Sequence, residues 1–187
     1  MTACALQPAS VGVPERSVNG PRRPILVLGL GNILLRDEGI GVRVIEALAS
    51  HPLPADVELC DGATAGFGLL EVIADRRKVI VVDALAGDRP PGTILRLTRG
   101  DLAEPAAVLS VHEFGLLETL AAARLLGIEP DDLVVIGVRP TAVEYGLELS
   151  PAIARLVPEL VARVLTELEI SVTSAASPRE SDSEGQP

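Results

Sequence analysis

The sequence predicts an α/β protein, a three-layer αβα sandwich with a twisted, mainly parallel sheet. Three observations lead to this fold class. Short apolar runs alternate along the chain with segments of helical periodicity, which is the pattern of βα units. The main apolar runs are continuous, as expected for strands that helices cover on both faces. Aromatic residues make up only 2% of the 187 residues, so the core must be built from aliphatic side chains.

The chain divides into one domain and two terminal segments. The domain is expected over residues 24–170, and this length is enough for one sizeable core. Residues 1–23 are rich in Pro, Ser and Gly without a period, so they are predicted to be a flexible N-terminal extension. Residues 171–187 are polar and of low complexity, which predicts a disordered C-terminal tail.

Five segments of the domain are predicted to be strands. The continuous apolar runs PILVLGL, KVIVVDAL and DLVVIGVRP indicate buried strands. DVELCD is predicted to be a further strand of the same sheet. GTILRLT alternates instead, which favours a strand at an edge of the sheet.

Four segments are predicted to be helices. The first follows the first strand, and its apolar side chains recur at helical spacing: Ile40, Val44, Ala47 and Leu48. The second, FGLLEVIAD, is short, and the third, SVHEFGLLETLAAARLLG, stops at Gly127. The last helix opens with Ser150 as its cap and Pro151 in its first turn, and Pro158 should kink or divide it. Its apolar stripe consists of Ile153, Leu156, Val157, Leu160, Val161, Val164, Leu165 and Leu168.

Composition excludes several classes of partner. The net charge of −10 argues against nucleic acid and anionic membranes, because phosphate groups select basic surfaces. No apolar run approaches the roughly 18 residues of a membrane span. One of the two cysteines, Cys4, lies in the extension, so no structural disulfide is expected and a reducing, cytoplasmic compartment fits. Arg22 and Arg23 flank a buried strand without a following cleavage site, which argues against an export signal.

Polar side chains gather where the predicted strands end. In open α/β sheets, ligands bind beyond the carboxyl ends of the strands. The residues expected at this edge are Asn32, Asp37, Glu38, Asp61, Thr64, Asp83 and, ahead of the third helix, His112.

The glycine-rich loop GLGNILLRDEGIG does not fit a nucleotide site. A G-x-G-x-x-G fingerprint that starts at Gly29 would need its third glycine where Leu34 stands, and no GxxxxGK[ST] pattern occurs. Asp37 and Glu38 would also repel a phosphate at the helix N-terminus. The loop therefore favours a cation over a phosphate.

Each candidate residue also has a structural explanation. Asp37 is expected to cap the helix that follows it, where the helix dipole favours an acid. Glu38 is either a second such acid or a ligand. Ser110 and Glu113 fit a capping box that places His112 in the first helical turn. The positive helix end there favours the neutral imidazole, which is the form that binds a metal, and simple packing at a helix start is the alternative.

Glu38, Asp61 and His112 together would make a set of two oxygen ligands and one nitrogen ligand. Such a set suits a borderline divalent ion such as nickel or zinc. Their spacing is not a local metal motif, so chemistry alone leaves the site open. A nucleophilic mechanism has less support, because Cys60 lies in a predicted strand and no GxSxG pattern occurs.

Four motifs occur in order: ILVLGLGNILLRDEGIGVRVIEAL, VELCDGATAG, VIVVDAL and SVHEFGL. In these motifs the chain resembles the nickel-iron hydrogenase maturation endopeptidases over nearly the whole predicted domain. The first motif, with its GxGNxLxxDxGxG pattern, is highly specific, and the ordered set is more specific still. Two features depart from the family pattern: the long segment before the first strand, and Ala63, where another small residue is common.

The resemblance implies an endopeptidase that removes the C-terminal extension of a hydrogenase large-subunit precursor after nickel has been inserted. The metal-recognising residues of the family fall on Glu38, Asp61 and His112. Nickel would be carried by the precursor, so no permanent cofactor is expected, and the precursor is the implied partner. We expect a monomer, because no coiled-coil or dimerisation segment is evident. The nickel ion would polarise the scissile carbonyl or activate a water, or one of the carboxylates would serve as the base.

Three alternatives compete with this interpretation. Peptidyl-tRNA hydrolases also open with a strand and GLGN, but they continue with Pro-Gly where this chain has Ile33 and Leu34, and their RNA substrate is disfavoured by the net charge. A nickel-binding chaperone or sensor would use the same three ligands and cleave nothing, yet the chain has no His-rich tract. A related protease with another substrate, such as a spore protein, would share the acidic ligands.

Overall fold

A computed structural model of the chain describes residues 24–63, 68–102, 109–110 and 116–176. The N-terminal extension, the last residues from 177 onward, and the predicted site residues Thr64 and His112 lie outside the described residues.

The sheet is mainly parallel, as predicted. Its strands are β1 Ile25–Leu30, β2 Val57–Ala63, β3 Lys78–Ala86, β4 Ile94–Thr98, β5 Leu109–Ser110 and β6 Asp132–Val138. The strand order is β2-β1-β3-β6-β4, with β5 paired to β3 outside this path. Strands β1, β2, β3 and β6 run parallel, whereas β4 is antiparallel to β6 and β5 is antiparallel to β3. The alternating segment thus forms the edge strand β4, as its pattern predicted.

Helices cover both faces of the sheet and confirm the three-layer fold class. They are α1 Ile40–Leu48, α2 Gly68–Ile73, α3 Arg99–Leu102, α4 Leu116–Leu126, α5 Pro151–Ala154 and α6 Val157–Ala176, with a 3-10 helix over Arg36–Gly39 before α1. One core cluster joins the sheet to α1 and α6, and a second joins the other face to α2 and α4. None of the helices in the described part of the chain is both long and apolar enough to cross a bilayer.

Several predicted stop signals act as expected. Gly127 adopts φ +69°, which glycine tolerates, directly after the last residue of α4. The last helical pattern is divided into α5 and α6 just before Pro158. The predicted apolar stripe of this region packs in the core on the α1 side. Helix α6 continues to Ala176, so the domain boundary that we placed at residue 170 falls inside a helix.

Candidate active site

Three strands bring the predicted residues to one edge of the sheet. Gly29 of β1 pairs with Asp61 on one side and with Val82 on the other. Asp83 follows Val82, so Asp61 and Asp83 flank the carboxyl end of β1. The loop that carries Glu38 leaves β1 at the same level. We call this region, where β1, β2 and β3 end, the carboxyl edge.

Glu38 and Asp61 are linked through the backbone of this edge. Glu38 is 5% exposed. A Cβ atom on Gly31 would lie 2.0 Å from the carbonyl oxygen of Glu38, and Gly31 has φ +135°, so only glycine fits there. The Gly31 N–H donates to the carbonyl of Ala63 at 3.1 Å. The Ala63 N–H in turn donates to Asp61 Oδ1 at 2.8 Å, which orients that carboxylate.

A second glycine sets the position of the helix that follows. A Cβ atom on Gly41 would lie 2.2 Å from the carbonyl oxygens of both Leu30 and Val82. The first turn of α1 therefore rests directly on the ends of β1 and β3. This close approach holds the preceding 3-10 helix, and with it Glu38, against the carboxyl edge.

Asp37 has a different role from the predicted one. The N-cap of α1 is Gly39 and has no side-chain capping bond, so the prediction that Asp37 caps this helix was wrong. Asp37 is fully buried. Its Oδ2 accepts hydrogen bonds from the N–H of Thr141 at 2.9 Å, the N–H of Ala142 at 2.8 Å and Ser150 Oγ at 2.8 Å. Its Oδ1 accepts from the N–H of Ser150 at 2.6 Å.

Ser150 occupies the predicted N-cap position of α5, but its hydroxyl makes no capping bond to that helix. The hydroxyl donates to Asp37 instead. Asp37 and Ser150 therefore tie the loop before α1 to the loop before α5.

Asp83 is a further buried carboxylate of the carboxyl edge. Its Oδ1 accepts from the N–H of Ala84 at 2.7 Å. It has the strand parity of Val79 and Val81, which belong to the core cluster on the side of α2 and α4. The sequence analysis placed Asp83 at this edge, and the structure confirms that position.

The position of His112 lies outside the described residues, and so does that of Glu113. The capping box that would include them therefore stays a prediction. Ser110, two positions before His112, lies in β5 and pairs with Leu85 near the end of β3. Among the residues that the structure describes, no group of three or more His, Cys, Asp or Glu side chains is placed to hold a metal ion. The three-ligand set requires His112 and therefore stays a prediction. The structure describes two of its members, Glu38 and Asp61.

Between the predicted strand that ends at Pro140 and the predicted cap Ser150, the sequence indicated no role for the loop over residues 139–150, because this loop has neither helical nor strand periodicity. It packs along the loop that carries Glu38. The N–H of Arg36 donates to the carbonyl of Gly146 at 2.9 Å, and the N–H of Gly146 donates to the carbonyl of Leu34 at 2.9 Å. Arg36 also forms an ion pair with Glu144 at 2.6 Å. This loop is therefore a structural part of the candidate site.

The carboxyl edge offers carboxylate chemistry. Oxygen ligands such as those of Glu38 and Asp61 can bind a divalent cation or accept a proton from a water molecule. The backbone segments that carry both carboxylates are fixed by hydrogen bonds and by close glycine contacts, and the Asp61 carboxylate is itself oriented by the N–H of Ala63.

Comparisons with known proteins identify the family. The family model described as hydrogenase maturation protease matches residues 42–167. The chain is 41% identical over 161 residues to the hydrogenase 2 maturation protease of Escherichia coli, covering 83% of this chain and 96% of that protein. It is 38% identical over 160 residues to the hydrogenase expression/formation protein HupD of Rhodobacter capsulatus, covering 82% of this chain and 76% of that protein.

A solved structure agrees with these matches. The hydrogenase maturating endopeptidase HybD from Escherichia coli superposes with a TM-score of 0.73 at 40% identity, covering 79% of this chain and 93% of that one. The family is the one that the ordered motifs indicated, so the peptidyl-tRNA hydrolase alternative is excluded. The chain belongs to the hydrogenase maturation protease family and is an endopeptidase.

Proposed function

We propose that this endopeptidase removes the C-terminal extension of a nickel-iron hydrogenase large-subunit precursor after nickel insertion. Glu38, Asp61 and His112 recognise the nickel ion that the precursor carries, so the ion is part of the substrate. The enzyme needs no resident cofactor and acts as a monomer in the cytoplasm.

The observation that carries the proposal is the link between Glu38 and Asp61. Gly31 lies against the backbone of Glu38 and bonds to Ala63, whose N–H holds the Asp61 carboxylate, so the segments that carry the two acids meet at one edge of the sheet. Two acidic residues joined in this way at the carboxyl edge supply oxygen ligands of the kind that bind a divalent cation.

The third ligand is His112, whose position lies outside the described residues. Ser110, two positions before it in the chain, pairs with Leu85 near the end of β3. A neutral imidazole would complete a set of two oxygen ligands and one nitrogen ligand, which suits nickel.

Recognition and hydrolysis would proceed as two linked steps. Coordination of the precursor's nickel by Glu38, Asp61 and His112 would fix the scissile bond beside the carboxyl edge. Two routes then lead to cleavage: the ion polarises the carbonyl or activates a water, or one of the two carboxylates takes the proton from the attacking water. In both routes, precursor without nickel is not positioned and is not cut.

The proposal is tested by intact-mass spectrometry. A hydrogenase large-subunit precursor, either nickel-loaded or nickel-free, is incubated with the enzyme. We expect the loss of one C-terminal peptide from the loaded form alone. Cleavage of both forms at equal rates would contradict nickel recognition, and cleavage of neither would contradict the substrate.

The ligand assignment is tested with three variants, Glu38→Gln, Asp61→Asn and His112→Ala. Each should lower cleavage of the loaded precursor at least about 100-fold, since each removes a ligand of the positioned ion. Glu58→Gln is a matched control, because Glu58 also lies on β2 but pairs with Arg76 away from the edge. Full turnover by Asp61→Asn would overturn both routes of hydrolysis.

A further inference from the structure

Five exposed apolar side chains lie on the two loops that form the candidate site. They are Ile33, Leu34, Val143, Tyr145 and Leu147, with exposed fractions of 37%, 54%, 46%, 91% and 61%. We call them the edge patch. Among the side chains whose burial the structure describes, only two other large apolar ones are exposed, Leu125 and Leu126. Single exposed apolar residues are ordinary on protein surfaces, but a concentration on two adjoining loops marks a contact surface.

The two loops form one firm platform. An isolated β-bridge pairs Leu35 with Gly146. The N–H of Gly146 donates to the carbonyl of Leu34, and its carbonyl accepts from the N–H of Arg36. Asp37, beneath them, accepts four hydrogen bonds from the second loop. Arg43 adds a bond from its guanidinium to the carbonyl of Leu147 at 2.9 Å. A surface that is held in place before contact loses little conformational entropy on binding.

The edge patch is continuous with the proposed catalytic residues. Ile33 and Leu34 belong to the same short segment as Glu38, between the end of β1 and the start of α1. A Cβ atom on Gly39, the residue after Glu38, would lie 2.9 Å from Ile33 Cα. A protein that presents a bond near Glu38 would therefore come close to Ile33 and Leu34 of the edge patch.

The charges around the edge patch indicate the chemistry of its partner. The half-buried Arg36 and the exposed Glu144 pair with each other at 2.6 Å, so their charges compensate each other. Glu148 beside them is exposed and acidic, and the whole chain carries a net charge of −10. This surface suits an apolar protein face and repels nucleic acid and anionic lipid. The patch also contains Tyr145, and tyrosine is typical of the residues that dominate protein interfaces.

We propose that the edge patch docks the folded body of the large-subunit precursor, through an apolar face of that protein next to its C-terminal extension. This inference rests on the proposed function and adds to it the surface that selects the substrate. Nickel coordination then places the bond, whereas the edge patch supplies affinity for the protein that carries it.

The test uses the single tyrosine of the chain. Incorporation of 3-fluorotyrosine gives one fluorine resonance, that of Tyr145, in the full-length enzyme. In the free enzyme, a soluble paramagnetic agent should broaden this resonance strongly, as expected for a side chain that is 91% exposed. Addition of nickel-loaded precursor should shift the resonance and protect it from the agent. Protection already in the free enzyme would show that a second copy or a terminal segment of this chain covers the patch, and would overturn the proposal.

Steady-state kinetics with matched variants provide a second test of the docking proposal. Tyr145→Ser and Leu147→Ser, separately and together, should raise KM for the loaded precursor about tenfold or more, with kcat at saturation within about twofold of the wild type. Leu125→Ser is the control, since Leu125 is 88% exposed at the end of α4 and outside the edge patch. It should leave KM unchanged.

The outcomes separate the two proposals. If the wild-type enzyme fails to cut loaded precursor, the proposed function fails. If it cuts loaded precursor but the patch variants keep the wild-type KM, or the control raises KM equally, only the docking proposal fails.

Discussion

The molecule buries charged side chains near both ends of its sheet, but the partners of these side chains differ between the two regions. On the amino side, Lys78 lies 3.2 Å from Asp132 and 3.2 Å from Glu167, and Glu167 also pairs with Arg96. We call these four residues the amino cluster. On the carboxyl side, buried Asp37 takes its four hydrogen bonds from three backbone N–H groups and a hydroxyl.

This difference indicates that the amino cluster stabilises the fold, whereas the carboxyl side also serves function. In the amino cluster, charges of opposite sign compensate each other and join α6 to the sheet. The donors around Asp37 are neutral, so they stabilise its carboxylate without cancelling its charge. Asp37, Glu38, Asp61 and Asp83 are all acidic, so this edge is rich in the oxygen ligands that suit a divalent cation. The amino cluster should therefore matter for stability alone, and the carboxyl edge for both stability and cleavage.

The largest expected effect on stability comes from Glu167→Gln. Glu167 is 5% exposed, and its neutralisation leaves buried Lys78 with less compensation. We expect a loss of about 3 kcal/mol in the free energy of unfolding, measured by urea denaturation. Cleavage of loaded precursor at a temperature well below the unfolding transition should stay within twofold of wild type. A loss of turnover in the still-folded variant would contradict the division between the two regions.

Asp37→Asn tests the carboxyl side of the same comparison. An amide cannot accept all four hydrogen bonds, so one buried donor faces an NH₂ group. We expect a loss of about 2 kcal/mol of stability together with at least a tenfold loss of cleavage, since the loop of Glu38 loosens. Ser150→Ala removes only one of the four bonds. It should cost about 1 kcal/mol with a smaller effect on cleavage.

Two glycines with nearly equal φ angles sharpen the comparison at the carboxyl edge. Gly31 has φ +135° and would bring a Cβ atom 2.0 Å from the carbonyl of Glu38, whereas Gly87 has φ +139° with no atom within 4 Å. Gly87→Ala should cost about 1 kcal/mol from backbone strain alone. Gly31→Ala should cost about 2 kcal/mol and lower cleavage at least tenfold, because Glu38 must move. Equal activity of the two variants would show that the position of Glu38 is unimportant.

Acid pH should weaken the amino cluster selectively. The hydrogen bond from Arg96, supported by that from Lys78, holds the pKa of Glu167 below its usual value of 4.5. Because the pKa is lower in the folded protein, the ionised group stabilises the fold above pH 4.5, and this stabilisation is lost as the pH falls through the lower folded value. The stability difference between wild type and Glu167→Gln should therefore shrink below about pH 4.5.

The pKa of Asp101 is also lowered, by hydrogen bonds from Thr98. This carboxylate is present in both proteins, so its contribution cancels in the difference. A difference that stays constant from neutral pH to pH 3 would contradict the role assigned to Glu167.

Sequence patterns predicted the large elements because those elements obey a period. The apolar runs became β1, β3 and β6, and the stripe before and after Pro158 became the buried faces of α5 and α6. Helix α3 and strand β5 were not predicted, since segments of four and two residues are too short to show a period.

The residue types of the candidate site could be predicted from the sequence, but their hydrogen-bond partners could not. Asp37 was interpreted as a local cap because its real partners lie 104 to 113 residues further along the chain. Only the folded sheet brings the loop over residues 139–150 beside the loop of Glu38. The edge patch could not be recognised for the same reason, since an irregular loop gives no sign of which apolar side chains remain exposed.

The smallest effect concerns two of the three described non-glycine residues with positive φ; the third, Arg36 with φ +50°, also lies on the carboxyl side. Ala63, beside Asp61 on the carboxyl side, has φ +42°, and Asp75, before β3 on the amino side, has φ +56°. Alanine is strained in this region by roughly 1 kcal/mol, whereas aspartate tolerates it better. Glycine relieves the strain in both, but it also increases the entropy of the unfolded chain by an amount of similar size. Relative to Asp75→Gly, Ala63→Gly should therefore raise the free energy of unfolding by only about 0.5 kcal/mol. Parallel denaturation curves measure this difference. A larger gain at Asp75 would mean that backbone strain is concentrated on the amino side, whereas the expected order places it next to the carboxylate that is proposed to meet the metal.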